Sequence, residues 1–159
     1  MASLEPNLAG YLYFIRNNAI PIGPAALPDD SPWITWTYDF ALKWTNESLK
    51  AWTGGNLNLT PMYALAVYNL GVDRLANWAP DNVADGNTDF SKLRKAYKLD
   101  AFVAGVVSSA SDVSTSDALT VPKFFEDLTL FDLQTLKTPW GRMYMSIAQQ
   151  YGPTIWGLS

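Results

Sequence analysis

Between residues 31 and 53 the apolar positions fall on two helical faces rather than one. Ser31 is placed to cap a helix and Pro32 suits its first turn. At roughly 100° per residue, the following positions separate into three stripes. Ile34, Tyr38, Ala41, Leu42, Thr45, Leu49 and Trp52 form a mostly apolar stripe, and Asp39, Lys43, Asn46, Glu47 and Lys50 a polar one. Trp33, Trp36, Phe40 and Trp44 form a third stripe that is wholly aromatic. A surface helix needs one apolar face to join a core. A second, aromatic face requires a second burial partner. Interfaces are rich in such side chains, so another copy of the chain is one candidate. The other is a helix lying deep within a single domain, and this segment alone does not choose between them.

The rest of the chain reads as further helices broken by proline and glycine. Residues 7–18 make a short apolar helix with Asn7 as cap and Leu8, Leu12 and Ile15 at helical spacing. Pro21, Gly23, Pro24 and Pro28 then form a stiff, irregular connection. Gly54-Gly55 suits the end of the three-faced helix. Thr60-Pro61 opens a helix running to Trp78 before Pro80. It is apolar nearly all round, with Asn69, Asp73, Arg74 and Asn77 as its only interruptions, so it is the central, buried one. Residues 89–97 predict a short helix with Phe90, Leu93 and Tyr97 on one side. Lys92, Arg94, Lys95 and Lys98 read as a solvated face complementing the helix dipole rather than as a phosphate site.

From 106 to 121 the pattern changes to alternating Ser and Val. A Ser-rich linker and a β-like arm compete here. The even spacing of Val107, Val113, Leu119 and Val121 and the absence of glycine favour the arm. Thr129 caps a short helix over 130–137, and Thr138-Pro139 opens the last one. In that helix Trp140, Met143, Tyr144, Ile147, Ala148 and Tyr151 form an amphipathic stripe. Gly152-Pro153 stops it. Residues 152–159 make a tail whose Ile155, Trp156 and Leu158 must dock somewhere, because an apolar tail is costly to leave in water. The predicted fold is therefore mainly α: one domain over 1–159, a small bundle of four to five helices with a β-like arm or hairpin and an extended C-terminal tail.

Composition sharpens this picture. The chain of 159 residues carries seven Trp and eight Tyr but only 16% charged residues, against a usual quarter. Part of its surface is thus expected to lie under partners. There is no Cys, which excludes disulfides and thiolate chemistry, and no His, the commonest acid–base group near neutral pH. A net charge of −4 argues against tight binding to nucleic-acid phosphates. The apolar run over 8–15 is too short to span a membrane.

Candidate chemistry is sparse. No phosphate-binding glycine loop and no nucleophile elbow is present. The acidic pairs Asp29/Asp30 and Glu126/Asp127 sit beside helix starts, where acids complement the dipole, rather than in the facing geometry of a glycosidase. Asp112 and Asp117 lack the spacing of a calcium loop. Asn46-Glu47-Ser48 and Asn58-Leu59-Thr60 match the glycosylation sequon, a pattern common by chance. No catalytic, cofactor or metal site is expected.

Three segments, in order, carry a resemblance. They are Ala64-Leu65-Ala66-Val67-Tyr68-Asn69-Leu70, then Val106-Val107-Ser108-Ser109-Ala110-Ser111, then Thr138-Pro139-Trp140-Gly141-Arg142-Met143-Tyr144. Together they resemble the small head-to-tail connector proteins of tailed bacteriophages, adaptors that complete the head. Relatives often carry Thr-Pro-Tyr-Gly in the third segment. This chain departs from them in Trp140, in its Trp-rich helix over 31–53 and in its long tail. The resemblance implies a non-enzymatic virion protein, assembled in the host cytoplasm as a homo-oligomeric ring, typically twelvefold. The ring sits beneath the portal protein and above a tail or nozzle protein, with genomic DNA passing through its lumen without specific binding. On that reading Trp33, Trp36, Phe40 and Trp44 form the subunit interface. Val107, Val113, Leu119 and Val121 lie on an inter-chain arm, and Ile155, Trp156 and Leu158 dock on the portal. An aromatic-rich carbohydrate-binding module and a carboxylate-dependent hydrolase are the alternatives.

Overall fold

The computed structural model describes residues 5–45, 60–82, 84, 86–101, 109–112, 115–118 and 129–151. The protein is mainly helical. In chain order the described elements are α1 (Leu8–Phe14) with a π-helical turn (Ile15–Ala19), α2 (Pro32–Trp44), α3 (Thr60–Trp78), α4 (Asp89–Tyr97), strands β1 (Ser109–Asp112) and β2 (Thr115–Ala118), α5 (Leu130–Thr135) and α6 (Pro139–Tyr151).

Helix α3 is the axis of the bundle and packs chiefly against α2 and α6. Its near-continuous apolar sequence matches this position: Ala66, Val67, Leu70, Val72, Leu75 and Ala76 are all fully buried. Gly71 lets α1 approach closely. A Cβ there would stand 2.9 Å from the ring of Tyr11, which is itself fully buried. The Tyr11 hydroxyl meets the Thr37 hydroxyl at 3.0 Å, and Thr37 in turn donates to the Trp33 carbonyl at 2.7 Å. Burial holds the Tyr11 phenol well above its ordinary range. This bond ties α1 to α2 inside the core.

Local signals set most boundaries. The Asn7 side chain accepts from the Gly10 amide at 2.7 Å and so caps α1. Thr129 and Asp132 form a reciprocal capping box at α5. Helix α4 ends at Lys98, which takes a left-handed conformation at φ 52°. Lys137 offsets this end by donating to the carbonyls of Lys98 at 3.1 Å, Leu99 at 3.4 Å and Ala101 at 2.6 Å. Arg94 does the same for α3, donating to the carbonyls of Ala76 and Ala79. The stiff connection after α1 is held by Arg16, which bonds Asp29 through Nε at 2.9 Å and reaches the carbonyls of Ile22 and Leu27. Asp29 is thus a structural ion-pair partner.

Three expectations change. Helix α2 stops at Trp44 instead of 53. Thr45 turns to extended backbone (ψ 118°), while its hydroxyl bonds back to the Ala41 carbonyl at 2.7 Å and its amide to the same oxygen at 2.9 Å. Leu49 and Trp52, placed on the apolar stripe by periodicity, lie outside the described residues. Helix α5 ends at Thr135 rather than 137, since Thr138 already starts the next cap. On α6, Trp140, Tyr144, Ile147 and Ala148 are buried as the stripe requires, but Met143 is exposed and Met145 fills the core in its place.

Within the 106–121 segment, β1 and β2 form an antiparallel hairpin pairing Ser109 with Ala118 and Asp112 with Thr115. Asp112 and Asp117 are therefore not partners across the ladder: Asp117 faces Ala110. Val107, Val113, Leu119 and Val121 lie outside the described residues, as do Glu126, Asp127 and both sequons' asparagines.

Candidate functional site: an aromatic face and a buried polar seam

The two apolar faces of α2 meet different surroundings. Ile34, Thr37, Tyr38, Ala41 and Thr45 are buried against the core. On the aromatic face Trp36 is 55% and Trp44 51% exposed, while Trp33 and Phe40 are half-buried. The stripe divides into two parts. Trp33 and Trp36 meet edge to face at 5.0 Å, beside a pocket of about 260 Å3 under Pro28, Pro32 and Pro80. Phe40 and Trp44 stack at 5.4 Å and extend the surface onto other elements. Phe40 meets Trp78 of α3 edge to face at 4.8 Å, and Trp44 lies 4.5 Å from Phe131 of α5. Trp78 and Leu130 are themselves exposed. The result is an apolar surface built from three helices, of which sequence periodicity identified only the α2 part.

Beneath Phe131 lies a polar seam that the sequence reading did not place. Asp73 and Arg74 are buried, Asp73 completely. The Thr138 hydroxyl donates to Asp73 Oδ1 at 2.5 Å and accepts from the Gly141 amide at 2.9 Å. One side chain therefore caps α6 and binds α3. Arg74 Nη2 pairs with Asp73 Oδ2 at 3.3 Å and donates to the Thr135 hydroxyl, and its guanidinium lies 4.0 Å from the centre of the Phe131 ring. Asp73 Oδ2 and Arg74 Nε have no hydrogen-bond partner. Gln134 donates to the Asn77 side-chain oxygen at 2.9 Å at the edge of the seam.

This seam explains the Thr-Pro-Trp-Gly-Arg segment physically. Thr138 is the shared cap. Trp140 is buried, edge to face with Tyr97 at 5.6 Å. Gly141 sits where any Cβ would fall 1.8 Å from the Thr135 carbonyl oxygen. Arg142 donates to the Leu136 carbonyl at 3.1 Å, closing the end of α5. Tyr144 is buried behind Arg74, and burial pushes its phenol up to about 12. All of these are fold-holding roles.

Burial pushes the Asp73 carboxyl up to about 6, against the lowering effects of Arg74 and Thr138. Burial also lowers Arg74, which the neighbouring Asp73 opposes. Asp73 has a folded value above its unfolded one, so the folded state binds the extra proton between about pH 6 and pH 4. Stability is then expected to rise as the pH falls from 7 through 6 towards 5. Melting temperatures measured over that range check this, and a flat or falling profile contradicts it. Asp81 has the opposite sign. The Ser91 hydroxyl, with further help from the Ser91 amide at 3.0 Å, holds its carboxyl below the usual range. Its contribution is lost only at lower pH.

Among the described residues no group of three or more His, Cys, Asp or Glu converges on a metal-sized site, and no helix is long and apolar enough to cross a membrane. Ile155, Trp156 and Leu158 lie outside the described residues. Comparisons with protein-family models, with curated proteins and with solved structures find no match.

Proposed function

We propose that this protein is a structural adaptor of a tailed-phage virion, a non-enzymatic ring beneath the portal that extends the DNA channel towards the tail. The observation that carries this reading is the two-sided α2. Its inner face completes the core while Trp36 and Trp44 stand half out of the surface. Leaving indoles in water is unfavourable, and a neighbouring subunit removes that cost. The low charge content and the net charge of −4 support a channel past which DNA slides rather than one that holds it. The β1–β2 hairpin supplies an edge to which another chain can add a strand. The portal protein on one side and a tail or nozzle protein on the other are the partners in this scheme.

Replacing Trp36 and Trp44 with Ser tests it. Both side chains are half exposed, so the subunit is expected to stay folded, with a circular dichroism spectrum like that of the wild type. Ring assembly is expected to weaken by about 2 kcal/mol or more, the loss typical of aromatic anchors at an interface. Sedimentation at a series of concentrations measures it. An unchanged assembly profile would remove α2 from the interface, and a stable monomer that retains an oligosaccharide column would favour the binding-module alternative.

A further inference from the structure

Residues 89–101 and 129–151 hold six of the eleven Lys and Arg residues but only three of the fifteen acids. The rest of the chain carries five cations against twelve acids, so the net charge of −4 conceals a strong segregation. We infer that the end of the molecule where α4 meets the α5–α6 turn is a contact surface for the phosphate backbone of duplex DNA. The inference rests on the adaptor reading in taking DNA as the polyanion, and it names the face that meets it.

Hydrogen bonds fix the juxtaposition. Lys137 Nζ lies 3.1 Å from the Lys98 carbonyl, and Arg142 Nη1 lies 3.4 Å from the Lys137 carbonyl. The Lys98 amide bonds the Lys95 carbonyl at 3.2 Å. Cations from two separate stretches of chain thus share one end of the bundle, and Lys95, Lys98 and Arg142 are exposed. Lys98 holds a left-handed backbone, φ 52°, that favours glycine, so a cation stands there at a conformational cost.

Local roles do not use up these charges. Arg94 is committed to the Ala76 and Ala79 carbonyls, and Lys92 pairs with Asp89 at 3.3 Å. The free carbonyls at the end of α4 are met by Lys137 and by the amides of Lys98 and Leu99. Among the described residues no carboxylate pairs with Lys95, Lys98, Lys137 or Arg142. Asp132 is held in the α5 capping box, and Asp100 lines a pocket between α3 and α5.

The layout selects the kind of polyanion. A small phosphate ligand needs donors that converge on one point. These cations are instead spread over exposed positions of two helices and a turn. Single strands are held by exposed aromatic rings. Here Trp140 is buried, with Tyr97 packed edge to face against it. A regular, densely charged duplex backbone suits such an array. Three exposed cations displace few counter-ions, so the contact is weak and salt-sensitive, and DNA is guided without being held.

The full-length chain with Lys95→Gln and Lys98→Gly tests this. Both side chains are exposed and glycine accepts the left-handed turn, so the melting temperature is expected not to fall. Binding to a labelled duplex of about 20 base pairs is measured by fluorescence anisotropy from about 20 mM salt upwards. The wild type is expected to show a log–log salt slope of about −3 and the variant about −1, with affinity at low salt at least ten-fold lower. Lys43→Glu changes the net charge by the same amount on α2 and is expected to bind like the wild type. A wild type that does not bind, equal affinities for all three proteins, or tighter binding of single strands would overturn the proposal. So would equal binding of poly-glutamate, which would assign the face to an acidic protein. If Trp36→Ser with Trp44→Ser abolishes assembly while the lysine variant binds DNA like the wild type, the adaptor reading stands and this face fails. If the lysine variant loses DNA while the tryptophan variant assembles normally, the face stands without the ring.

Discussion

Gly141→Ala is expected to be the most damaging single-methyl change in the protein. The added Cβ would fall 1.8 Å from the Thr135 carbonyl oxygen and 2.7 Å from its carbon. Both are backbone atoms, so no side chain can rotate away, and α5 must separate from α6. Overpacking of this kind costs about 3 kcal/mol at the upper end of its usual range. The separation would also disturb Thr138, which caps α6 through the Gly141 amide and bonds Asp73. Denaturant midpoints of Gly141→Ala and of Met143→Ala, an exposed control two residues away, measure it. The first should shift strongly and the second hardly at all. Equal midpoints would mean that the close approach of α5 to α6 does not hold the fold.

Asp73→Ala should be comparably severe for a different reason. It strips Arg74 of its counter-ion in the core and leaves the Thr138 hydroxyl without its acceptor. Breaking one side of a buried pair costs about 3–5 kcal/mol, because the remaining charge stays buried. Replacing both members, as Asp73→Leu with Arg74→Met, should recover much of that loss. Asp73→Ala should also abolish the gain in stability on mild acidification, since that gain belongs to this carboxyl. If the double variant is as unstable as the single one, the pair's role lies in shape rather than charge.

These predictions concern residues whose roles the sequence disclosed unevenly. Periodicity identified α3 as the central helix because its apolar positions leave no wet face. The same fact implies that its polar residues are buried as well. Asp73 and Arg74 break the pattern on a narrow stripe, and that stripe faces Thr135 and Thr138 of the α5–α6 turn. Only the tertiary contact reveals their partners, which lie more than sixty positions away. Thr138-Pro139 was legible as a helix start, because cap and proline are local signals. The need for glycine at 141 was not, because it arises from the passage of another backbone. Helix α2 shows the limit from the other side. Its stripes fix which residues face inward, but its end is set by Thr45, whose hydroxyl folds back onto Ala41 where periodicity alone would continue to 53. The aromatic stripe on α2 was visible in the sequence. Its continuation through Trp78 and Phe131 was not, since it joins residues from three helices.

The exposed aromatic face, the hairpin and the uncharged tail are the features that the adaptor reading unites. On that proposal the protein forms a ring at the junction of head and tail. Electron microscopy of phage particles carrying this protein, labelled with an antibody against it, measures that place directly. Label is expected at a single vertex, between the filled head and the tail. Label spread over the capsid or along the tail, or particles that carry none of this chain, would contradict it.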